Sequence, residues 1–510
     1  MKILDCTLRD GGYYTNWDFE KEIVDQYITS SNVLPIDYLE LGYRNIAQKE
    51  YMGKYGFSPV YELENIRNKS KKKLAIMLNE KSTTQADLDF LLSPIKGIID
   101  MVRLAIDPKN INNAIQIAEA IKNKGFEVGF NLMYMSNWKN DASFLPQLEN
   151  LDGKVDLFCM VDSFGGITPN EIKKIMELVR KYTSVPLGFH GHNNLELGLI
   201  NALTAIELKV DYIDATILGM GRGAGNLKME LLLTYLNKHQ NLEVDFNALG
   251  DVISAFKKLQ TKYEWGTNLP YMISGANSLP QKDVMEWVSN RVYSFNSIVR
   301  ALNNIKSKKV DNEKYLGFNP ISYDSVVIIG GGLNALLHIE GIKEFINKHE
   351  NIALIHATSR NSSQYLNINV DQFYCLVGSE GKRLIKVILD HETFKGTCIL
   401  PPYPRKMGTD VPLFAKKNTY ELNSIDFTED YQDSCTTIAL QTALTLNAKN
   451  IYIVGYDGYS DGMLTVKERD LSMENQKLFV KFKEYSNLKL VSLTPSYYTE
   501  LITESVYQHI

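Results

Sequence analysis

Between residues 2 and 218 the chain alternates eight times between a short apolar run and a helix-like stretch, and few folds accept that pattern. The apolar runs fall at 3–8, 38–42, 74–78, 101–106, 128–133, 157–161, 187–192 and 212–218, with helical patterns between them such as 112–124, 169–182 and 194–208. Strands alternating with helices imply a parallel sheet. Eight such units in under 250 residues fit a closed (β/α)8 TIM barrel better than an open sheet. In that fold the active site lies at the C-terminal ends of the strands. Polar residues stand there: Arg9 and Asp10 after the first run, Glu40, Tyr43 and Arg44 at the second, Arg103 in the fourth. Asp162 and Ser163 follow the sixth, and His190 and His192 end the seventh.

The string Gly188-Phe189-His190-Gly191-His192-Asn193-Asn194 carries the most chemistry. Residues two apart on a strand point to the same face. Two imidazoles on one face can grip a divalent cation, and a carboxylate from elsewhere would complete an open site. Taken alone, the pair is equally two polar residues at a strand end.

Four stretches occur in a fixed order: Asp5-Cys6-Thr7-Leu8-Arg9-Asp10-Gly11-Gly12, Asp162-Ser163-Phe164-Gly165-Gly166, His190-Gly191-His192-Asn193-Asn194 and Gly219-Met220-Gly221-Arg222-Gly223-Ala224-Gly225-Asn226. Together they resemble the motifs of the DRE-TIM metallolyase superfamily, which includes 4-hydroxy-2-oxovalerate aldolase, 3-hydroxy-3-methylglutaryl-CoA lyase and the isopropylmalate and homocitrate synthases. The resemblance covers roughly residues 1–300. It implies a divalent metal on Asp10, His190 and His192, with Asn226 at a position that supplies a further ligand in some members. It also implies that Ser163 contacts a substrate carboxylate. Mixed oxygen and imidazole ligands favour Mn²⁺ or Mg²⁺, with Co²⁺ or Zn²⁺ as alternatives.

A cation with open positions polarises the carbonyl of a chelated 2-oxo acid. Arg9, beside the ligand Asp10, is placed to stabilise the charge of the forming enolate. Its other reading is a barrel-end salt bridge. Arg44 and Arg103 are candidates for a second anionic group, or for structural ion pairs. The aldolases of the resembled group carry a His a few residues after the Arg-Asp pair, as the base on the substrate hydroxyl. Here the run is Gly11-Gly12-Tyr13-Tyr14, and the barrel half holds only His190, His192 and His239. Tyr13 is therefore the first candidate for the acid/base, a metal-bound water the second. Tyr13 as a plain pocket wall stays open. The glycine loop has no Cys, unlike the CoA-thioester lyases, and has Arg222 where the synthases have Glu. Both departures point to the aldolase branch. The segment from Tyr263 to Gly275 resembles the helical extension of 2-oxo acid aldolases, which would bring Tyr271 to the barrel mouth.

The expected organisation is a barrel at 1–240, a helical extension at 241–304, a charged linker at 305–320 and an open Rossmann-like α/β domain at 321–510. In the last, Asp324-Ser325-Val326-Val327-Ile328-Ile329-Gly330-Gly331-Gly332 reads as a buried strand running into a phosphate-cradling turn. With the segments from Asp433 and from Ile451, it distantly resembles bacterial sialyltransferase-type glycosyltransferases and the related Maf proteins of surface-glycan pathways. That likeness implies a nucleotide sugar at Gly330, Gly331, Gly332, Asn334, Ser434 and Asp457. The alternative is an inert docking domain.

A net charge of −5 gives no basic footprint for nucleic acid. No apolar run reaches about 18 residues, so no membrane span is expected. Met1 and Lys2 lead straight into the first strand, so no signal peptide is expected. Five scattered cysteines suit a reduced, cytoplasmic protein. A homo-oligomer is expected. The function expected is a metal-dependent aldolase or lyase that makes or cleaves a C–C bond next to a 2-oxo acid, with pyruvate and an aldehyde as small-molecule partners, in surface-polysaccharide or sugar metabolism. The alternatives are a Claisen-type acyl-CoA-dependent acyltransferase, and a nucleotide-sugar-binding or glycosyltransferase protein whose barrel is a scaffold.

Overall fold

The computed structural model describes residues 1–510 except 50, 280, 291–294, 309–312, 320–321, 393, 406–407 and 460–465. The chain divides into two compact units, Met1–Met285 and Glu286–Ile510.

The first unit holds a barrel of eight parallel strands: β1 (Lys2–Asp5), β2 (Tyr38–Tyr43), β3 (Lys73–Asn79), β4 (Met101–Ile106), β5 (Glu127–Leu132), β6 (Leu157–Asp162), β7 (Leu187–Gly191) and β8 (Tyr212–Ala215). They close in chain order, and β1 pairs with both β2 and β8. β2, β4 and β6 are buried along their whole length, as strands covered on both faces must be. The helix Pro169–Val179 shows how the outer layer forms. Thr168 and Glu171 make a capping box and Pro169 opens the helix. Ile172, Ile175, Met176 and Val179 then fall on one buried face.

The first strand stops earlier than its apolar run. Asp5 Oδ1 accepts the backbone N–H of Thr7 at 2.8 Å, and the Asp10 N–H reaches the Cys6 carbonyl at 2.9 Å. Those bonds turn the backbone into the helix Thr7–Thr15, so Arg9 and Asp10 stand in a first helical turn instead of on a strand. Gly11 and Gly12 weaken this helix on propensity alone. A Cβ at Gly11 would lie 2.5 Å from Met220 Sδ, and one at Gly12 would lie 2.0 Å from Trp17 Cδ1, so close packing requires both glycines. The eighth strand also ends early, at Ala215, because Leu218 adopts φ 53° in the turn Ile217–Gly219. His192 lies just past β7 and bridges to Asn226.

The second unit contains an open parallel sheet. Its strands are β9 (Leu316–Gly317), β10 (Ser325–Ile329), β11 (Ile352–His356), β12 (Gln372–Cys375), β13 (Thr397–Leu400), β14 (Thr419–Glu421), β15 (Asn450–Val454), β16 (Leu490–Ser492) and β17 (Ile502–Thr503). The order is β17-β16-β15-β10-β11-β12-β13-β14-β9. Alternate residues of β10 serve opposite cores. Val326 and Ile328 pack with the helix Cys435–Thr445, while Val327 and Ile329 pack with the helix Ile339–Asn347. The segment expected as a helical extension holds the helices Phe246–Tyr263, Leu269–Ala276, Gln281–Asn290 and Phe295–Lys306, and the boundary between the two units, after Met285, falls inside the third. The stretch 305–320, expected as a linker, instead finishes the last of these helices and supplies β9, which pairs with β14. Its residues 309–312 and 320 lie outside the described ones. Among the described residues, no helix is long and apolar enough to cross a membrane.

Candidate active site in the barrel

Asp10, His190 and His192 converge, each buried, with ligand-type atoms within 4.8 Å of one another. The strand register carries the two histidines to the barrel top, and the helical turn at Arg9-Asp10 brings the carboxylate to meet them. His192 Nδ1 faces the Asp162 carbonyl at 2.8 Å, and His190 Nδ1 faces Asp214 Oδ2 at 3.0 Å. With each Nδ1–H so engaged, both Nε2 atoms are left as acceptors, and that of His190 lies 3.5 Å from Asp10 Oδ2. This outer engagement is how proteins orient metal-binding imidazoles. Asn226 donates to Asp10 Oδ2 at 2.7 Å while its own Oδ1 is buried without a hydrogen-bond partner. The unsatisfied oxygen beside the trio fits a cation.

A second set, Cys6, His190 and Asp214, shares His190. Burial pushes the Cys6 thiol well up, which keeps it protonated. Asp214 is already committed to Arg103 at 2.8 Å. This set orients His190 from behind, and the Asp10 set holds the metal-competent geometry.

Behind the trio runs a buried charge chain. Arg9 Nε meets Glu40 Oε2 at 2.7 Å, and Arg9 Nη1 meets Asp10 Oδ1. Glu40 Oε1 meets Arg103 Nη1 at 3.3 Å, and Arg103 continues to Asp214 and so to His190. Burial opposes ionisation of Asp10, but the Arg9 guanidinium outweighs it and holds the carboxyl below its usual range. Burial also raises Asp214, and Arg103 and His190 bring it down to about 2. His192 is pushed down to about 3, by burial and then by His190, so it is neutral at working pH. Asp162 rises to about 6 through burial, while accepting the Ile167 and Gly166 N–H groups that shape its loop. The chain sets two guanidinium groups against the carboxylates of Asp10, Glu40 and Asp214.

A cavity of about 360 Å³ opens over His192, within the range of small-molecule sites. Ser163 lines it, and its hydroxyl accepts the Tyr134 N–H at 2.8 Å. Tyr13 is half-buried nearby. Its hydroxyl lies 2.9 Å from that of Tyr43, and the Arg222 guanidinium sits 4.4 Å from its ring centre.

Three expected substrate contacts fall elsewhere. Arg103 is fully buried inside the barrel and spent on Glu40 and Asp214. Arg44 donates to the carbonyls of Leu91 and Ser58 and holds a loop. Tyr271 is 2% exposed and does not line the cavity; its ring packs on Gly223 and its carbonyl accepts Asn194 Nδ2 at 2.9 Å. It thus supports the loop that carries Arg222. Arg222, which the sequence marked only as a departure from the synthases, lines the cavity together with Lys109 and Lys282, which the sequence did not single out. Arg222 had a signal: a lone cation in a glycine loop whose eight residues, Gly219 to Asn226, include no acid.

In the second unit a cavity of about 710 Å³ lies at the C-terminal ends of β10, β11 and β15. Strand order reverses there, between β10 and β15, the usual ligand position in open α/β sheets. Gly330, Gly331, Gly332, Ser434 and Asp457 all line it. Asn334 does not: its N–H donates to Asp457 Oδ2 at 3.0 Å and its amide donates to the Pro495 carbonyl at 3.3 Å. Glu474 also lines the cavity, and its Oε2 is buried without a partner.

An eight-stranded parallel barrel with a buried Asp-His-His set at its C-terminal end defines an enzyme of the TIM-barrel metallolyase type. The HMGL-like family model matches residues 99–255. The chain is 30% identical over 245 residues to 4-hydroxy-2-oxovalerate aldolase of Carboxydothermus hydrogenoformans, covering 47% of this chain and 71% of that one. It is 25% identical over 252 residues to oxaloacetate decarboxylase of Mycobacterium tuberculosis, covering 49% and 74%. The crystal structure of the N-terminal domain of a candidate aldolase from Bacteroides vulgatus is 67% identical, with a TM-score of 0.57, covering 59% of this chain and all of that one. The chain belongs to the HMGL-like family of lyases and aldolases.

Proposed function

We propose that the barrel is a metal-dependent aldolase that joins or separates pyruvate and an aldehyde through a 4-hydroxy-2-oxo acid. The convergence of Asp10, His190 and His192 beside Arg9 carries this reading, and the aldolase among the relatives supports it. Asp10, His190 and His192 would hold a divalent ion, Mn²⁺ or Mg²⁺, with Asn226 Oδ1 adjacent. Bound there, such an ion supplies Lewis-acid polarisation of the 2-oxo carbonyl. Arg9, fixed by Glu40, directs fixed positive charge at the oxygen where enolate charge grows. Ser163 orients the donor's carboxylate. In the joining direction pyruvate C3 gives up a proton to solvent, the C3–aldehyde C1 bond forms as the aldehyde C=O π pair moves onto oxygen, and the Tyr13 hydroxyl gives its proton to that oxygen. Tyr13, oriented by its 2.9 Å contact with the Tyr43 hydroxyl, regains a proton from solvent, so no net proton is gained or lost. In cleavage the same proton moves back as the C–C bond breaks. Supplying 4-hydroxy-2-oxo acids of varied chain length with Mn²⁺, and coupling pyruvate release to a lactate dehydrogenase, tests the reading. Release of pyruvate is expected, and none from any member of the panel would refute it.

For the second unit, we infer a nucleotide-sugar site at the 710 Å³ cavity. The supporting observation is that the turn Gly330–Gly332 meets Ser434 and Asp457, both over a hundred residues further along the chain, at one strand-order reversal. Carboxyl groups at Asp457 and Glu474 suit sugar hydroxyls, while Arg360 and Arg383 suit phosphates. Calorimetry with CMP- and UDP-linked sugars should show binding that Asp457→Ala weakens. Such a pairing would place the protein in sugar or surface-polysaccharide metabolism.

A further inference from the structure

We propose that the barrel's acceptor is an aldehyde bearing an anionic group, a phosphate monoester or a carboxylate, held by Arg222 with Lys109 and Lys282. The inference rests on the aldolase reading for the word aldehyde, but the anion subsite rests on this cavity alone. The barrel unit has six arginines. Five of them, Arg9, Arg44, Arg67, Arg103 and Arg180, donate to protein oxygens. Arg222 alone has no such oxygen among the described residues and only stacks over Tyr13. It is half-buried and lines the cavity beside His192. Asp10, an acid that acts on it electrostatically, is already engaged by Arg9, Asn226 and His190. A guanidinium drawn out of water without an anion is costly, so an anion from outside the chain is the natural complement.

The rest of the cavity agrees. Lys109 and Lys282 line it and have no ion-pair partner among the described residues, and the single acid in the wall is Asp107. That acid is tied to Lys81 at 3.3 Å and caps its own turn through the Lys109 N–H. Half-buried Arg222 and the solvent-exposed Lys109 and Lys282 therefore face one committed acid. One donor carboxylate, which on the aldolase reading meets Ser163 and a metal held by the Asp10 set, does not call for three cations. A group carrying one or two negative charges on the acceptor does. Asn137 and Gln281, also in the wall, leave room for hydroxyls between the carbonyl and the anion.

The full chain with Mn²⁺ should be assayed with pyruvate and matched aldehydes: glyceraldehyde against glyceraldehyde 3-phosphate, and butyraldehyde against succinic semialdehyde. The anionic member should win by at least about tenfold in kcat/KM, a modest gain for a desolvated ion pair. The pair with the larger advantage tells phosphate from carboxylate. Arg222→Ala should erase most of that advantage and Arg222→Lys should retain part of it. Added salt should raise KM for the anionic aldehyde more than for its neutral match. As a readout apart from turnover, calorimetry should show phosphoglycolate binding that the Arg222→Ala, Lys109→Ala, Lys282→Ala variant loses. Equal or better use of neutral aldehydes would overturn the proposal. So would an Arg222→Ala variant that raises KM for pyruvate while leaving the aldehyde preference intact, since the guanidinium would then serve the donor. If pyruvate is not enolised at all, the aldolase reading falls, and the calorimetric arm still decides the anion subsite.

Discussion

In the barrel, the carboxylates of Asp10, Glu40 and Asp214 each meet a guanidinium, and two of them also meet an imidazole. In the second unit's cavity, Glu474 and Asp457 each keep a buried oxygen with no hydrogen-bond partner, and the contacts found for them are with Ser434 and the Asn334 N–H. In the first arrangement the protein itself pairs each carboxylate with an opposite charge, although Asp214 Oδ1 and Asn226 Oδ1 are also buried without a hydrogen-bond partner, so reacting atoms enter a field whose charges are largely set. In the second, among the described residues, no guanidinium is found on either carboxyl group, and under the proposed nucleotide-sugar reading their unsatisfied oxygens would take donors from the ligand. On the functions proposed above, a catalytic centre and a recognition site differ in this way even where both sit at the C-terminal ends of parallel strands.

The sharpest way to break the comparison is to empty the barrel's ligand set. His190→Ala with His192→Ala should abolish both bound divalent metal and turnover, as read by metal analysis beside the pyruvate-release assay. Full metal content in that variant would show that the set is ordinary barrel packing. Next comes the proton. Tyr13→Phe should cost about 10²–10⁴-fold in turnover with metal content unchanged. A loss below about threefold would make Tyr13 a wall of the cavity, since a working general acid contributes far more. Arg9→Lys should cost on the order of 10²-fold, because a point charge cannot hold Glu40 and face the developing oxyanion at once.

Asp214→Asn probes the pre-set half of the contrast. It leaves Arg103 and His190 without their shared anion, and should lower metal affinity by roughly 10–100-fold. It should also destabilise the fold by about 3 kcal/mol, read from denaturant unfolding, the scale for breaking a buried pair. Glu474 probes the other half. Burial raises its carboxyl to about 7. A raised carboxyl stabilises the fold when protonated, so this contribution is complete at pH 4 and is lost as pH climbs through about 7. The loss should be up to roughly 3 kcal/mol. Glu474→Gln should flatten that part of the stability–pH curve, and an unchanged curve would show that Glu474 finds a partner.

The barrel was legible because a parallel strand covered on both faces must be apolar along its length, and eight such runs have few ways to pack. His190 and His192 were legible from two-residue spacing. Arg9 and Asp10 were found, but their setting was not. Nothing in an apolar run shows that Asp5 will cap the Thr7 N–H and start a helix, and glycines argue against a helix until Met220 and Trp17 are seen against them. Arg103 and Arg44 show the limit of reading charge by position. A strand register puts Arg103 between Glu40 and Asp214, and Arg44 meets backbone carbonyls that no pattern announces. Asp214 could have been found, since it pairs in register with His190 across β7 and β8. In the second unit the glycine turn was visible, but the carboxyl of Glu474, on a long helix near the chain's end, reaches the cavity only through tertiary packing.

The account stands most directly on whether this barrel makes the enolate of pyruvate. Pyruvate in deuterated water, with the full chain and Mn²⁺, should lose its methyl proton signal by NMR, and the loss should stop in the His190→Ala, His192→Ala variant. A methyl signal that persists at the uncatalysed rate with metal bound would contradict the account.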